Sequence, residues 1–202
     1  MTAFPKDFTA CAAGLMRDNV DTDTIIPSRE MRTTGRDGLA DGLFAPWRYF
    51  NAETREENPD FVLNKAAHRK AQLLLVGANF GCGSSREHAV WAIHEWGIRA
   101  IIAVSFAPIF RGNCIRNFVL PITLPRNVIA EIADKQVAIN LRDQSVDCDG
   151  QTYAFEIEQE AKEMLLGGLD AIDLTLTQID AVESWLEADA SARPWVYLEQ
   201  HK

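Results

Sequence analysis

Three observations predict an α/β domain. Leu73 to Val76 is an apolar run leading into a loop with glycines at 77, 81 and 83, and an amphipathic segment with Ala89, Ala92, Ile93 and Trp96 on one face follows it. Ala100 to Val104 and Val119 to Leu124 are two further apolar runs of strand length, with room for a short helix from Phe106 to Cys114 between them. Beyond them, Asp149-Gly150 joins two alternating stretches and is a strong hairpin signal. Parallel βαβ units with right-handed crossovers are therefore expected, followed by antiparallel strands.

In chain order, Asp18 to Arg29 places Asp18, Asp21, Asp23 and Arg29 around a short apolar strand. Asp21 and Asp23 suit the cap of a turn better than a metal pair, because two alternating aspartates without further ligands make a poor metal site. Arg32 and Arg36 follow, with Gly35 and Gly38, in a segment from Ser28 to Gly38 that has little periodicity and reads as a mobile loop. Glu53 to Glu57 is a charge run expected at the solvated surface. Ser84 and Glu87 have capping-box spacing, so the helix after the glycine loop should begin near Ser85, and Gly97 should end it. Val137 to Leu141, Ser145 to Cys148 and Gln151 to Ile157 read as strands, and Thr177 to Asp189 as a closing amphipathic helix before a proline-containing tail.

Composition narrows the function. A chain of 202 residues with 47% hydrophobic content suits one domain, or one domain with an extension. A net charge of -9 argues against nucleic acid as a partner, since binding polyphosphate depends on a basic face. No apolar run approaches the roughly 20 residues that span a bilayer, and the stretch around Pro5, Lys6 and Asp7 has no signal-peptide core, so a cytoplasmic protein without a membrane partner is expected. Cys11, Cys82, Cys114 and Cys148 lie far apart with no C-x-x-C pair, which poorly supports a zinc or iron–sulfur site on this chain.

The glycine loop reads as an anion site made from backbone. Gly81 and Gly83 allow close approach, the first helical turn presents unpaired N–H groups, and Arg86 adds a planar charged fork suited to carboxylate or phosphate. Neither a Walker ending nor the dinucleotide fingerprint is present, which favours a small carboxylate. A tight strand-to-helix turn with an ordinary cap is the alternative. Cys82 could be a nucleophile at a helix N-terminus, but small-residue packing fits it better, since His88 falls about one turn into the expected helix. His94 reads as a packing or surface residue. The arginine loop from Ser28 to Gly38 could close over a second carboxylate, or its arginines could be scattered surface charge.

Asn19 to Pro27, the string Asn79 to His88, Ser105-Phe-Ala-Pro-Ile-Phe, and Asn113 to Pro121 together resemble the small-subunit family of bacterial 3-isopropylmalate dehydratases, in the aconitase superfamily. Gly168-Leu-Asp-Ala-Ile-Asp-Leu-Thr-Leu resembles the family's C-terminal segment more weakly, and Asn117-Phe118 stands where the family has asparagine-glycine. The resemblance implies a swivelling β/β/α domain, a partly open mixed β-barrel with flanking helices, spanning 1–202 with a C-terminal helical extension. It also implies a hydro-lyase of leucine biosynthesis that isomerises 2- and 3-isopropylmalate by dehydration and rehydration. That enzyme is active only with a large subunit, which carries the [4Fe–4S] cluster, so no cofactor is expected on this chain. By the same resemblance Ser84 is the base, Ser85 and Arg86 hold substrate, and Asp23 faces the large subunit; Arg86 is expected to be catalytic as well, Gly83 to bind substrate with them, and Arg29 and Arg32 are the loop positions expected to recognise it. A related hydro-lyase acting on citramalate, citraconate or homoaconitate, and a non-catalytic anion-binding partner module, remain as alternatives.

Overall fold

The computed structural model describes residues 4–5, 7–31, 35–51 and 53–197, in two compact units, 1–168 and 169–202. The first unit contains strands β1 (Asp7–Leu15), β2 (Tyr49–Asn51), β3 (Glu56–Glu57), β4 (Leu73–Val76), β5 (Ala100–Ala103), β6 (Leu120–Thr123), β7 (Gln136–Asn140), β8 (Ser145–Cys148) and β9 (Gln151–Ala154). Its helices are α1 (Thr22–Ile25), α2 (Ala45–Arg48), α3 (His88–Trp96), α4 (Pro108–Arg116), α5 (Arg126–Ile132) and α6 (Gln159–Gly167).

Seven strands form one curled, half-barrel sheet in the order β6-β5-β4-β1-β7-β8-β9. The half from β6 to β1 is parallel, with Leu73 opposite Ala100 and Ala12 opposite Leu73; β1 then pairs antiparallel with β7, and the hairpins to β8 and β9 follow. The expected βαβ and hairpin halves are both present. The strand that welds them, β1, was not anticipated. Its sequence, Asp-Phe-Thr-Ala-Cys-Ala-Ala-Gly-Leu, is poor in the branched and aromatic residues that mark strands, and its pairing on both sides decides its conformation.

Alternation along β4 sends Leu74 and Val76 to one core and Leu73 and Leu75 to the other. The first core gathers Ile25, Phe80, Ala89, Ile93, Ile101 and Phe110, and the second gathers Ile102, Leu120, Ile129, Ile139 and Leu165. Both faces of the parallel half are thus covered, which is why its strands read as unbroken apolar runs.

Four local expectations change. The apolar stretch after Asp21 is the short helix α1, not a strand: the Asp21 carboxylate accepts the Thr24 N–H at 2.6 Å and caps it. The helix expected from Ser85 starts at His88, and Ser84 and Glu87 make no capping box. The final strand ends at Ala154 rather than Ile157. Helices α5 and α6 fill stretches not assigned from sequence. Gly97 does end α3, at φ 108°, and the hairpin turn places Asp149 at φ 49° and Gly150 at φ 80°, both left-handed as a type I′ turn requires.

The second unit holds α7 (Ala171–Leu176) and α8 (Ile179–Ala192). Asp170 caps α7, accepting the N–H groups of Ile172 and Asp173 at 2.8 Å, while Asp173 accepts the Asp170 N–H at 3.1 Å.

Candidate active site

The glycine loop runs from the carboxyl end of β4 to the start of α3, the edge of a parallel sheet where α/β proteins place ligands. Each turn of it is held from below. The Asp18 carboxylate accepts the Ala78 N–H at 2.7 Å and an Arg126 N–H at 2.6 Å, and a Cβ on Gly77 would fall 2.1 Å from that carboxylate. The hydrogen bond from Arg126, then that from Ala78, holds the Asp18 carboxyl below the usual aspartate range. Asn79 takes its left-handed φ of 54° because its N–H reaches Ser105 Oγ at 2.8 Å and its side chain donates to Asn19 Oδ1 at 2.9 Å.

Gly81 donates to the Val20 carbonyl at 2.8 Å with φ 76°, and an added Cβ would sit 2.0 Å from the Phe110 ring. Cys82 then pairs alongside Asp21, its carbonyl accepting the Thr22 N–H at 2.9 Å. Gly83, at φ 92°, lies over Asp21 and Thr22, and the Ser84 N–H donates to Thr22 Oγ1 at 3.1 Å. The start of α1 and the glycine loop are therefore one interlocked platform.

On this platform Gly83, Ser84 and Ser85 are exposed, and Arg86 is half-buried and ion-paired with Asp23. Behind it, Asn113 donates to the Ser85 carbonyl at 3.4 Å and accepts from Arg116, while buried Asn117 accepts the Trp91 indole N–H at 2.9 Å and donates to the Asn113 carbonyl at 2.9 Å. Helix α3 starts three residues past Ser85, and its first amides lack intrahelical partners, so two exposed serines and the Arg86 guanidinium form a rim just before a helix N-terminus. Such a rim can hold a carboxylate and stabilise charge that develops on it.

Of the residues singled out from sequence, Gly83, Ser84, Ser85, Arg86 and Asp23 are brought together. Arg29 lies on a 3-10 turn, Ser28–Glu30, with Nε 3.4 Å from Glu30 Oε1, and Arg32 lies outside the described residues. Glu30 is buried and also takes Arg55 through contacts of 2.5 and 3.3 Å, so the charge run from Glu53 to Glu57 is in part a counter-ion for an interior acid. At the other end of the arginine loop, the Glu95 carboxylate accepts the N–H groups of Gly38, Leu39 and Ala40 at 2.6–2.7 Å, and the Arg36 guanidinium stacks 4.9 Å above Trp91. His94 is held below the usual histidine range by burial and then by Arg99, which accords with a packing role.

Asp18, Thr22, Asn113 and Glu95 were missed by sequence reasoning. Asp18 stood in a noticed string, but its partners are 60 and 108 residues away. Among the described residues no group of three or more His, Cys, Asp or Glu is arranged to hold a metal ion, and the cysteines sit apart on β1, in the glycine loop, on α4 and on β8. Burial pushes the Cys114 and Cys148 thiols up, which opposes the thiolate form a cluster needs. These residues do not fit an iron–sulfur cluster.

The aconitase C-terminal domain family matches residues 6–127. A 3-isopropylmalate dehydratase small subunit from Cupriavidus necator is 48% identical over 93% of this chain and 95% of its own length. The chain belongs to this small-subunit family. Another small subunit of the same name, from Roseobacter denitrificans, is 46% identical over 93% of this chain and 96% of its own. The crystal structure of a 3-isopropylmalate dehydratase from Methanocaldococcus jannaschii superposes with a TM-score of 0.65 at 30% identity, covering 88% of this chain and 98% of that one. Phe118 occupies a left-handed position, φ 57°, just past α4, a conformation for which glycine is the usual residue.

Proposed function

We propose that this chain is the small subunit of a 3-isopropylmalate dehydratase, interconverting 2- and 3-isopropylmalate by loss and return of water in leucine biosynthesis, and that Ser84, Ser85 and Arg86 are its contribution to the site. What supports this is the rim itself: two exposed serines and an arginine precede a helix N-terminus on a loop tied to Thr22 and Asp23. Removing a proton beside a carboxylate piles negative charge on that carboxylate, so the step needs oriented donors where the charge grows. Arg86 has donors on more than one edge; with one edge on Asp23, another remains for a substrate carboxylate.

Ser84 is the base in this reading. Its N–H is tied to Thr22, which fixes the backbone and leaves the hydroxyl in the exposed rim, where helix N-terminus and guanidinium favour an alkoxide. Ser85 and Gly83 hold substrate, and Arg29 or Arg32 supplies the counter-charge for its distal carboxylate. The iron–sulfur cluster of the large subunit supplies the Lewis acid for the departing hydroxyl. The test is to purify the chain and assay it alone and after anaerobic mixing with an iron–sulfur large subunit. No turnover alone and isomerase activity on mixing is expected; turnover by the isolated chain in chelator would overturn the reading.

A further inference from the structure

Away from that rim, three residues distant in sequence meet. The Cys11 sulfur lies 3.8 Å from Nδ1 of His68, and Nε2 of the same ring lies 3.1 Å from Oδ1 of Asp134. His68 is 5% exposed, and its backbone is pinned on both sides, its N–H donating to the Lys65 carbonyl and its carbonyl accepting the Ala71 N–H, each at 2.9 Å. A carboxylate only accepts, so Asp134 holds the ring hydrogen on Nε2 and leaves the Nδ1 lone pair facing the thiol. Nucleophile, base and orienting carboxylate thus stand in the order that activates a cysteine.

Cys11 is half-buried rather than sealed, its sulfur 4.0 Å from the Asp134 carbonyl, and Asp134, though neither Cys11 nor His68, lines a neighbouring cleft of about 700 Å³. That volume suits a small organic ligand. Its lining includes Arg17, Lys65, Asp60 and Asp134, with the Arg17 guanidinium 4.5 Å above the Trp47 ring. Two cations and two carboxylates around one cleft complement a ligand carrying both carboxylate and ammonium groups.

We propose that Cys11, with His68 as its base and Asp134 as a positioning residue, is a thiol–disulfide exchange site for small disulfides built from amino-acid units. His68 Nδ1 takes the thiol proton as the Cys11 sulfur attacks one sulfur of the disulfide. The S–S bond breaks, the departing sulfur is reduced and takes the proton back from the imidazolium, and Cys11 is left oxidised as the mixed disulfide. One thiol and one disulfide become one mixed disulfide and one thiol.

The experiment treats the full-length chain with glutathione disulfide and follows each cysteine by peptide mass spectrometry over time. Cys82, half-buried like Cys11 but in the glycine loop, serves as the internal reference. Cys11 should form the mixed disulfide at least about tenfold faster than Cys82. Asp134→Asn, at an exposed side chain where the left-handed backbone suits asparagine, should slow Cys11 severalfold and leave Cys82 unchanged, with the fold checked by circular dichroism. His68→Gln should slow it further. Modification of Cys11 no faster than Cys82 in the folded chain, or an Asp134→Asn rate equal to that of the parent, would each overturn the proposal.

Discussion

At Gly81 a single missing side chain decides whether the platform forms. Alanine there would place Cβ 2.0 Å from the Phe110 ring in a left-handed backbone, so Gly81→Ala is expected to cost about 2 to 4 kcal/mol, combining left-handed strain with overpacking. Urea denaturation measures it, and a change below about 0.5 kcal/mol, the size of an ordinary surface substitution, would contradict the packing argument. Ser84→Ala keeps the backbone bond to Thr22 and removes only the hydroxyl; in the assembled enzyme it should lower kcat by about a thousandfold with KM little changed. A near-normal kcat would move the base elsewhere. Asp18 makes a pH prediction. Its folded pKa is depressed, so its stabilisation is present above the ordinary aspartate value of 3.8 and is lost as pH falls through the lower folded value. Asp18→Asn should therefore weaken the fold near neutrality, and its deficit relative to the parent should shrink in denaturation curves taken well below pH 3.8. The serines, the glycines and Arg86 were legible in the sequence because their chemistry is local. Asp18 and Asn113 were not, since their partners come from other elements.

Among the elements, the 3-10 turn Ala40–Gly42 shows how the arginine loop is anchored. Glu95, near the end of α3, takes the three amides at its start, and buried Arg48 donates to the Ala40 carbonyl at 2.8 Å from the other side. Arg48 is sandwiched between the Tyr49 and Trp96 rings, and burial lowers its pKa. One carboxylate and one guanidinium thus staple both ends of a single turn. Glu95→Ala should cost about 1 to 3 kcal/mol, since three charge-assisted bonds go with it, and should raise amide hydrogen exchange from residue 35 to 42. Unchanged exchange there would mean that the turn stands without its clamp. The boundary of α3 belongs to the same scale: spacing suggested a capping box at Ser84, but Thr22 takes the Ser84 N–H and delays the helix to His88. A contact 62 residues away outweighed a local signature.

For the whole molecule, both hydrophobic cores are drawn from residues 4 to 165, while α7 and α8 contribute no buried residue. A chain ending at Gly168 should accordingly keep a cooperative thermal transition within a few degrees of the parent, read by calorimetry. Loss of the transition would show that the C-terminal unit is needed for the fold. Assembly sets the second expectation. If the loop bearing Arg29 meets the distal carboxylate, Arg29→Ala should reduce kcat/KM of the complex by roughly tenfold to a hundredfold, the equivalent of one charged hydrogen bond. Steady-state kinetics on isopropylmalate and on citramalate would check it, and unchanged values for both would place specificity in the large subunit.

By itself the sequence determined the α/β class, the parallel strands β4, β5 and β6 and the hairpin at Asp149-Gly150, and it offered the glycine-serine-arginine string as a candidate site, because apolar periodicity, turn chemistry and such a string are properties of neighbours in the chain. Only the tertiary structure decided that β1 is the central strand, that Asp21 and Thr22 support the glycine loop, that Glu30 is an interior acid and that Cys11, His68 and Asp134 form one group. In each of these the deciding contact joins residues 25 or more positions apart, or overrides a weak local preference, and such pairings are set by packing of the whole sheet rather than by any window of sequence.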